Sequence, residues 1–181
     1  IFLIVLFFCF SCGKDDSADQ TTEDDKQEIA RQKFQMKFDM VKDSSAFFIR
    51  SAIENQLPEE HIVVNGVKLY SSIVFPQFYV AQEFQPSWIR NPDSLNLVTE
   101  MVKFIQDIEF HGLQPQNYHY DSLLHYYKLI QTDSTHLLDP HFLATFDMWL
   151  SDAFFMVSSH LYNGKVNPDL LEAEWGIQRN K

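Results

Sequence analysis

Two carboxylates, five positions apart, lie in an otherwise apolar part of the sequence. Asp147 and Asp152 both belong to the run 139–164, which has the pattern of a helix. A buried carboxylic acid with a raised pKa can act as a general acid, and glycoside hydrolysis needs two carboxylates across a cleft. The structural alternative puts Asp147 on the solvent side and makes Asp152 an acceptor for a nearby donor. We adopt the structural interpretation.

Histidine spacing gives no support for a metal site. His119 and His125 are six positions apart, and His136 and His141 are five apart, whereas a separation of four places two imidazoles on one helical face. Surface or hydrogen-bonded histidines are therefore predicted, with no metal and no cofactor. A Gly-x-Ser-x-Gly elbow and a phosphate-binding Gly-rich loop are also missing from the sequence.

Four tyrosines leave two interpretations open. Tyr118, Tyr120, Tyr126 and Tyr127 could form a platform for a sugar or a peptide. At helical spacing such residues more often pack against the core with the hydroxyl reaching water. We favour packing.

The amino-terminal cysteines point to export. Residues 1–10 are uninterruptedly apolar, yet as a helix they would cover only roughly 15 Å, which is too short to span a bilayer. They therefore predict the apolar part of a signal peptide, within which the sequence begins. Cys12 after Ser11 resembles the lipobox of bacterial lipoproteins, so lipidation of Cys12 is expected. A Cys near a cleaved signal, or a disulfide between Cys9 and Cys12, is the alternative.

This resemblance implies a lipoprotein of the cell envelope, held in a membrane by its lipid. We predict that the membrane is the outer membrane and that the protein faces the periplasm. Residues 1–12 would be the signal, and the acidic residues 13–27 a disordered tether. Residues 14–16 also resemble a charged signal that sends some lipoproteins to the outer face; an ordinary solvated linker is the alternative.

The composition favours helices and excludes nucleic acid as a partner. Only 5 Gly stand beside 17 Phe and 7 Tyr, which is unfavourable for a fold made of many tight turns. The formal net charge of -11 provides no basic surface for phosphates. We predict a mainly α helical bundle with one small β-hairpin near residues 62–70, where Asn65-Gly66 suits a two-residue turn.

Helices are predicted at about 28–55, in a short stretch ending at Gln82, from Asn91-Pro92 to Gly112, and at 121–131 with Asp121 as its cap. The run 139–164 predicts the central helix, with Phe154 among its core residues.

Three clusters, at 78–88, 111–119 and 150–168, together resemble the scaffold domain that precedes the catalytic domain of large L,D-transpeptidases. This resemblance spans roughly residues 62–175. It assigns the domain to residues 28–181, incomplete at its carboxyl end, and gives the following residues a structural role in the family pattern: Tyr79, Pro86, Trp88, Gly112, Leu113, Pro115, Tyr118, Asp152, Gly164, Pro168 and Trp175.

In that family, a downstream domain uses a Cys thiolate in a Ser-His-Gly-Cys type motif to cross-link peptidoglycan. No part of the motif occurs before Lys181, so the resemblance assigns no catalytic residue here. It implies that the partners are the chain's own catalytic domain and, through the parent protein, peptidoglycan. A stand-alone, lipid-anchored module that binds peptidoglycan or peptide is the alternative, and an enzyme complete within these residues is a third.

Overall fold

A computed structural model describes residues 23–56, 61–71, 73–93 and 95–165. The chain divides into two compact units, one up to Lys33 and one from Phe34 onward. Helix α1 (Glu23–Glu54) begins in the first unit, where residues 23–33 are exposed. The predicted mainly helical class with one small hairpin is confirmed for the described residues. None of the helices in these ranges is both long enough and apolar enough to cross a bilayer.

The predicted tether is wrong at its carboxyl end, because residues 23–27 are helical. Their composition suits a helix start: acidic side chains occupy the first turn, where they complement the positive end of the helix dipole. Lys26 also pairs with Glu23 at 2.7 Å. The absence of large apolar residues in this segment therefore did not prevent it from forming a helix. Residues 1–22, which include Cys12 and the rest of the tether, lie outside the described residues.

The predicted hairpin is confirmed in the second unit. Strands β1 (Val63–Val64) and β2 (Val67–Lys68) pair in antiparallel fashion. Both turn residues have positive φ, 49° at Asn65 and 78° at Gly66, which is the conformation that a tight two-residue turn requires. The indole N–H of Trp149 donates a hydrogen bond to the β1 backbone at 3.3 Å, and so fixes the hairpin on the helical core.

Helix α3 (Asn96–Gln106) starts later than the predicted opening at Asn91 and Pro92. The side chain of Asn91 instead accepts a hydrogen bond from the backbone N–H of Asp93 at 2.9 Å. This local turn gives the backbone an alternative to the helix, which explains why the helix begins several residues further on.

The remaining helices lie close to their predicted positions: α2 (Val74–Ala81), α4 (Tyr120–Thr132) and α5 (Pro140–Asn163). Short 3₁₀ turns connect them at Ile108–His111, Pro115–Tyr118 and Ser134–Leu138. The prediction that Asp121 caps α4 is wrong. His119 occupies the cap position with a left-handed φ of 59°, and Asp121 lies inside the first turn.

Helix α5 is the centre of the second unit. Its start is fixed by Asp139, whose carboxylate accepts hydrogen bonds from the backbone N–H groups of His141 (2.9 Å) and Phe142 (3.3 Å). It stops before Gly164, which has a φ of 81°. Every residue from 142 to 153 is buried, so the other elements surround this segment on all sides.

Phe154 is not a core residue, contrary to the sequence expectation. Its side chain is 46% exposed, and its ring packs edge-on against Trp88 at 5.9 Å.

We expect Phe154→Ala to lower the free energy of unfolding by about 1 kcal/mol, because only part of its apolar surface is removed from water. Urea denaturation measures this. The matched control is Tyr162→Ala, on the same helix and 89% exposed, which should cost less than about 0.5 kcal/mol. A loss of 3 kcal/mol or more at Phe154, the size typical of buried aromatic residues, would contradict this placement.

Candidate functional site

Asp147 is buried, with 1% of its surface exposed, so the prediction that it faces solvent is wrong. The hydroxyl of Tyr79 donates to one carboxylate oxygen at 2.7 Å. The backbone N–H groups of Ser87 and Trp88 each donate to the other oxygen at 2.8 Å. Asp147 therefore ties both α2 and the loop after α2 to the central helix.

Ser151 extends this network one helical turn further along α5. Its hydroxyl oxygen accepts a hydrogen bond from the indole N–H of Trp88 at 2.9 Å and lies 2.9 Å from the hydroxyl of Tyr79. When Asp147 is ionised it can only accept, so the Tyr79 hydrogen points to Asp147 and Ser151 donates to the Tyr79 oxygen. The hydrogen bonds therefore run in one direction, from the Ser151 hydroxyl to the Tyr79 hydroxyl and from there to Asp147.

Asp152 collects donors from two distant parts of the chain. It accepts hydrogen bonds from the backbone N–H groups of Tyr70 (3.0 Å) and Ser71 (2.7 Å), and also from the Ser71 hydroxyl. On its other oxygen, His119 Nε2 lies at 2.7 Å. The side chain of Asp152 is fully buried and that of His119 is 7% exposed. The interpretation of Asp152 as an acceptor agrees with these contacts.

The two carboxylates differ in their acidity. Burial raises the pKa of Asp147 to about 6, although hydrogen bonds from Trp88, Tyr79 and Ser87 oppose the shift. Burial also opposes ionisation of Asp152, but hydrogen bonds from His119 and Ser71 outweigh it and lower the pKa of that carboxyl. Asp152 is therefore a stable anion at neutral pH, and Asp147 titrates near pH 6.

This geometry gives both carboxylates a structural role. A glycosidase requires its two carboxylates to flank a substrate cleft, whereas Asp147 and Asp152 are 1% and 0% exposed and bonded to protein donors. A raised pKa in a buried network also occurs outside active sites. The pair joins four segments to α5, namely α2, the loop after it, residues 70 and 71, and the turn at His119, and neither carboxylate is exposed to a substrate.

The other aromatic candidates are packing residues. Tyr118 is fully buried, and Tyr120, Tyr126 and Tyr127 are partly buried against the core, which leaves no flat exposed platform among them. His136 stacks on Phe142 with ring centroids 5.4 Å apart. The described ranges contain no cluster of three or more His, Cys, Asp or Glu side chains placed to hold a metal ion.

A polar cleft of about 400 Å³ opens beside the Asp152 network. Its walls come from the hairpin, the 3₁₀ turn before α4 and the end of α5. It is lined by Val67, Lys68, Tyr70, Gln116, Asn117, His119, Met156, His160 and Lys165. His160 is held in place by its Nδ1, which lies 2.9 Å from the Tyr118 hydroxyl. In this cleft, polar side chains from distant elements converge.

A family model for the scaffold domain matches residues 74–181. The chain belongs to the scaffold-domain family. The match covers more than half of the chain and confirms the resemblance seen in the sequence. Comparisons with curated proteins and with solved structures give no match.

Several residues to which the resemblance gives a structural role lie at the junctions described above. Tyr79 and Trp88 bind the Asp147–Ser151 face of α5, and Tyr118 binds His160. Gly112 has a φ of 73° and ends a 3₁₀ turn, where a residue with a side chain would be strained. Of the other residues in this set, Pro86, Leu113 and Pro115 are buried, and Gly164 follows the end of α5. Pro168 and Trp175 lie outside the described residues.

Sequence reasoning missed the partners of the two carboxylates. His119, the partner of Asp152, was assessed for metal spacing and lies in the cluster 111–119, but its pairing with Asp152 was not predicted, and Ser71 was not singled out. Asp147 and Ser151, four residues apart on an apolar helix, give a signal that could have been used, because this spacing puts both on one face. Of the two lysines of the cleft, Lys165 lies within the cluster 150–168 and Lys68 lies in no motif, and neither was predicted to line a site.

Proposed function

We propose that this chain is the scaffold region of a membrane-anchored L,D-transpeptidase that cross-links peptidoglycan, and that the catalytic Cys lies in a domain encoded beyond Lys181. The observation that carries the proposal is the scaffold-domain match over residues 74–181. The order of the clusters at 78–88, 111–119 and 150–168 supports it, since these residues resemble the family that works in this way.

The internal chemistry of the described residues supports a framework role. Asp147 and Asp152 form hydrogen bonds with segments that are distant in sequence, at separations of 33 to 82 positions. Buried polar networks of this kind fix one arrangement of neighbouring segments when all members are satisfied. A rigid frame is what a separate catalytic domain requires if its active site is to be held in a defined position.

The experiment is an acyl-transfer assay on isolated peptidoglycan sacculi with a fluorescent amine as acceptor. The full gene product should attach the amine to stem peptides, and replacing the Cys of its downstream motif by Ala should abolish this. The 181-residue chain alone should attach none. Labelling by the chain alone, or no labelling by the full gene product, would overturn the proposal.

We further propose that Cys12 carries the lipid and that the protein faces the periplasm from the outer membrane. The Ser11-Cys12 junction after an apolar run supports this. Metabolic labelling with a radioactive fatty acid should label the wild-type protein and fail with Cys12→Ser. Cys9→Ser is the matched control, because Cys9 would leave with the signal. Equal labelling of the two variants would argue against lipidation at Cys12.

A lipid-anchored binding module without catalysis is the second candidate, and the polar cleft favours it. It predicts that the chain alone is retained on sacculi, and that no transferase motif is encoded downstream. Retention together with an active downstream domain would instead leave the first proposal in place.

A further inference from the structure

The polar cleft concentrates cationic and donor groups in a strongly acidic protein. Lys68 and Lys165 both line it, and no carboxylate is among its described lining residues, although the chain has a formal net charge of -11. Asp152 is adjacent to the cleft but does not line it, and its carboxylate oxygens are hydrogen-bonded to His119 and to the backbone N–H groups of residues 70 and 71. Such an arrangement favours an anionic ligand over a cation.

One wall residue carries an unused donor. Nδ2 of Asn117 is buried and has no hydrogen-bond partner in the structure. Buried amide N–H groups are rarely left unpaired, because losing water without gaining a partner is costly. His160 uses Nδ1 for Tyr118, which leaves its Nε2 for a ligand. Nδ2 is closed to solvent in this structure, so the Asn117 side chain must rotate before an acceptor oxygen in the cleft can pair with it.

The cleft also has surfaces for the uncharged part of a ligand. The rings of Tyr70 and His119 are stacked, with an interplanar angle of 18° and centroids 6.4 Å apart. Lys68 lies over the Tyr70 ring at 5.4 Å, and Met156 supplies a flexible apolar contact. A cavity of about 400 Å³ is within the range of small-ligand sites.

We propose that this cleft binds the free carboxylate of a short peptide, with Lys68 and Lys165 supplying charge and Asn117 supplying a hydrogen bond. The stacked pair of Tyr70 and His119 receives the adjoining peptide group. The identification of the peptide as a peptidoglycan stem rests on the proposed function. Recognition of the carboxylate itself does not.

The test is a titration of the full 181-residue chain, followed by isothermal calorimetry, with N-acetyl-dialanine, its carboxyl-terminal amide, and inorganic phosphate. We expect the free acid to bind at least about tenfold more tightly than the amide, because amidation removes one charge and one acceptor. Phosphate should bind more weakly than the free acid, since it has no peptide group to pack on the rings.

Asn117→Asp keeps the shape of the side chain, removes the unused donor and adds a negative charge. It should weaken binding of the free acid at least about tenfold, and Lys68→Gln should weaken it by a smaller factor. Lys103→Gln, on the exposed side of α3, is the matched control and should change affinity less than about twofold. Far-UV circular dichroism verifies that each variant is folded.

Equal binding of acid and amide, no binding of the acid at millimolar concentration, or an unaltered affinity in Asn117→Asp would overturn the proposal. Phosphate binding as tightly as the free acid would also overturn it, by showing a site for any small anion. None of these outcomes affects the scaffold proposal, which depends on the downstream Cys. Conversely, carboxylate binding without downstream transferase activity would support the cleft and remove only the stem-peptide assignment.

Discussion

Replacing Asp152 by alanine is expected to lower the free energy of unfolding by about 3 to 5 kcal/mol. The variant leaves the backbone N–H groups of Tyr70 and Ser71 without their acceptor, and it also removes the partner of His119. The bonds are part-buried around a fully buried carboxylate, so water can replace the lost acceptor only in part. Urea denaturation at neutral pH measures the loss.

The conservative variant separates charge from shape. Asp152→Asn retains one oxygen for the backbone donors of residues 70 and 71, and its amide can donate to His119 if that ring accepts on Nε2. It should therefore cost clearly less than the alanine variant. Glu100→Ala, on an exposed position of α3, is the control and should stay within about 0.5 kcal/mol of the wild type. An alanine variant at position 152 as stable as the wild type would show that the network does not hold the fold together.

The second large effect concerns pH. Asp147 has a pKa of about 6 in the folded protein against a reference value of 3.8, so the folded state binds its proton more tightly than the unfolded state. The stability that this preference contributes is fully present below pH 3.8 and is lost as the pH rises through about 6. A shift of this size corresponds to about 3 kcal/mol over the whole range.

Asp147→Asn removes this titration and retains an oxygen for the backbone donors of Ser87 and Trp88. Its amide can donate to Tyr79, whose own hydrogen then turns to Ser151. We expect the stability of the variant, relative to the wild type, to increase by about 2 to 3 kcal/mol between pH 4 and pH 7.5. Comparing the two proteins at each pH cancels the titration of other groups, including the lowered pKa of Asp152.

Urea denaturation at several pH values between 4 and 7.5 provides the measurement. Asp139→Asn, at the exposed cap of α5, is the control for replacing a carboxylate by an amide on the same helix. A constant difference between Asp147→Asn and the wild type across this range would mean that Asp147 does not titrate in it.

The sequence was most informative where a residue type is required by backbone conformation. Asn65-Gly66 predicted the hairpin because few other residue pairs accept two positive φ values. Asp139 and Pro140 predicted the start of α5. The Asp139 side chain accepts hydrogen bonds from backbone N–H groups of the first turn, and Pro140 has no backbone N–H that would need an acceptor. Local rules suffice for such positions.

The sequence was least informative about which residues of α5 are buried and which elements they contact. Residues 142–153 are buried all round, so a polar residue such as Asp147 has no exposed face to occupy, and periodicity could not reveal this. Phe154 was misplaced for the converse reason, since its apolar character matches that of its buried neighbours. The partners of both aspartates come from segments more than 30 positions away, which only the folded chain brings together.

The candidate site divides in the same way. Tyr79, Trp88 and Asp152 could be named from the family pattern, whereas their hydrogen-bonding partners could not. The cleft combines Lys68, Asn117 and Lys165 from three separate elements, and although Asn117 and Lys165 lie within the clusters 111–119 and 150–168, no sequence pattern predicted that they meet. The ordered clusters predicted the scaffold domain. The cleft could not be predicted, because it depends on how separate elements pack together.

The central claim is that this scaffold serves an L,D-transpeptidase, and the most direct measurement is the DNA sequence of the reading frame beyond the codon for Lys181. The account predicts that the frame continues into a domain with a Ser-His-Gly-Cys type motif. A stop codon directly after the scaffold, with no such motif in the frame, would contradict it.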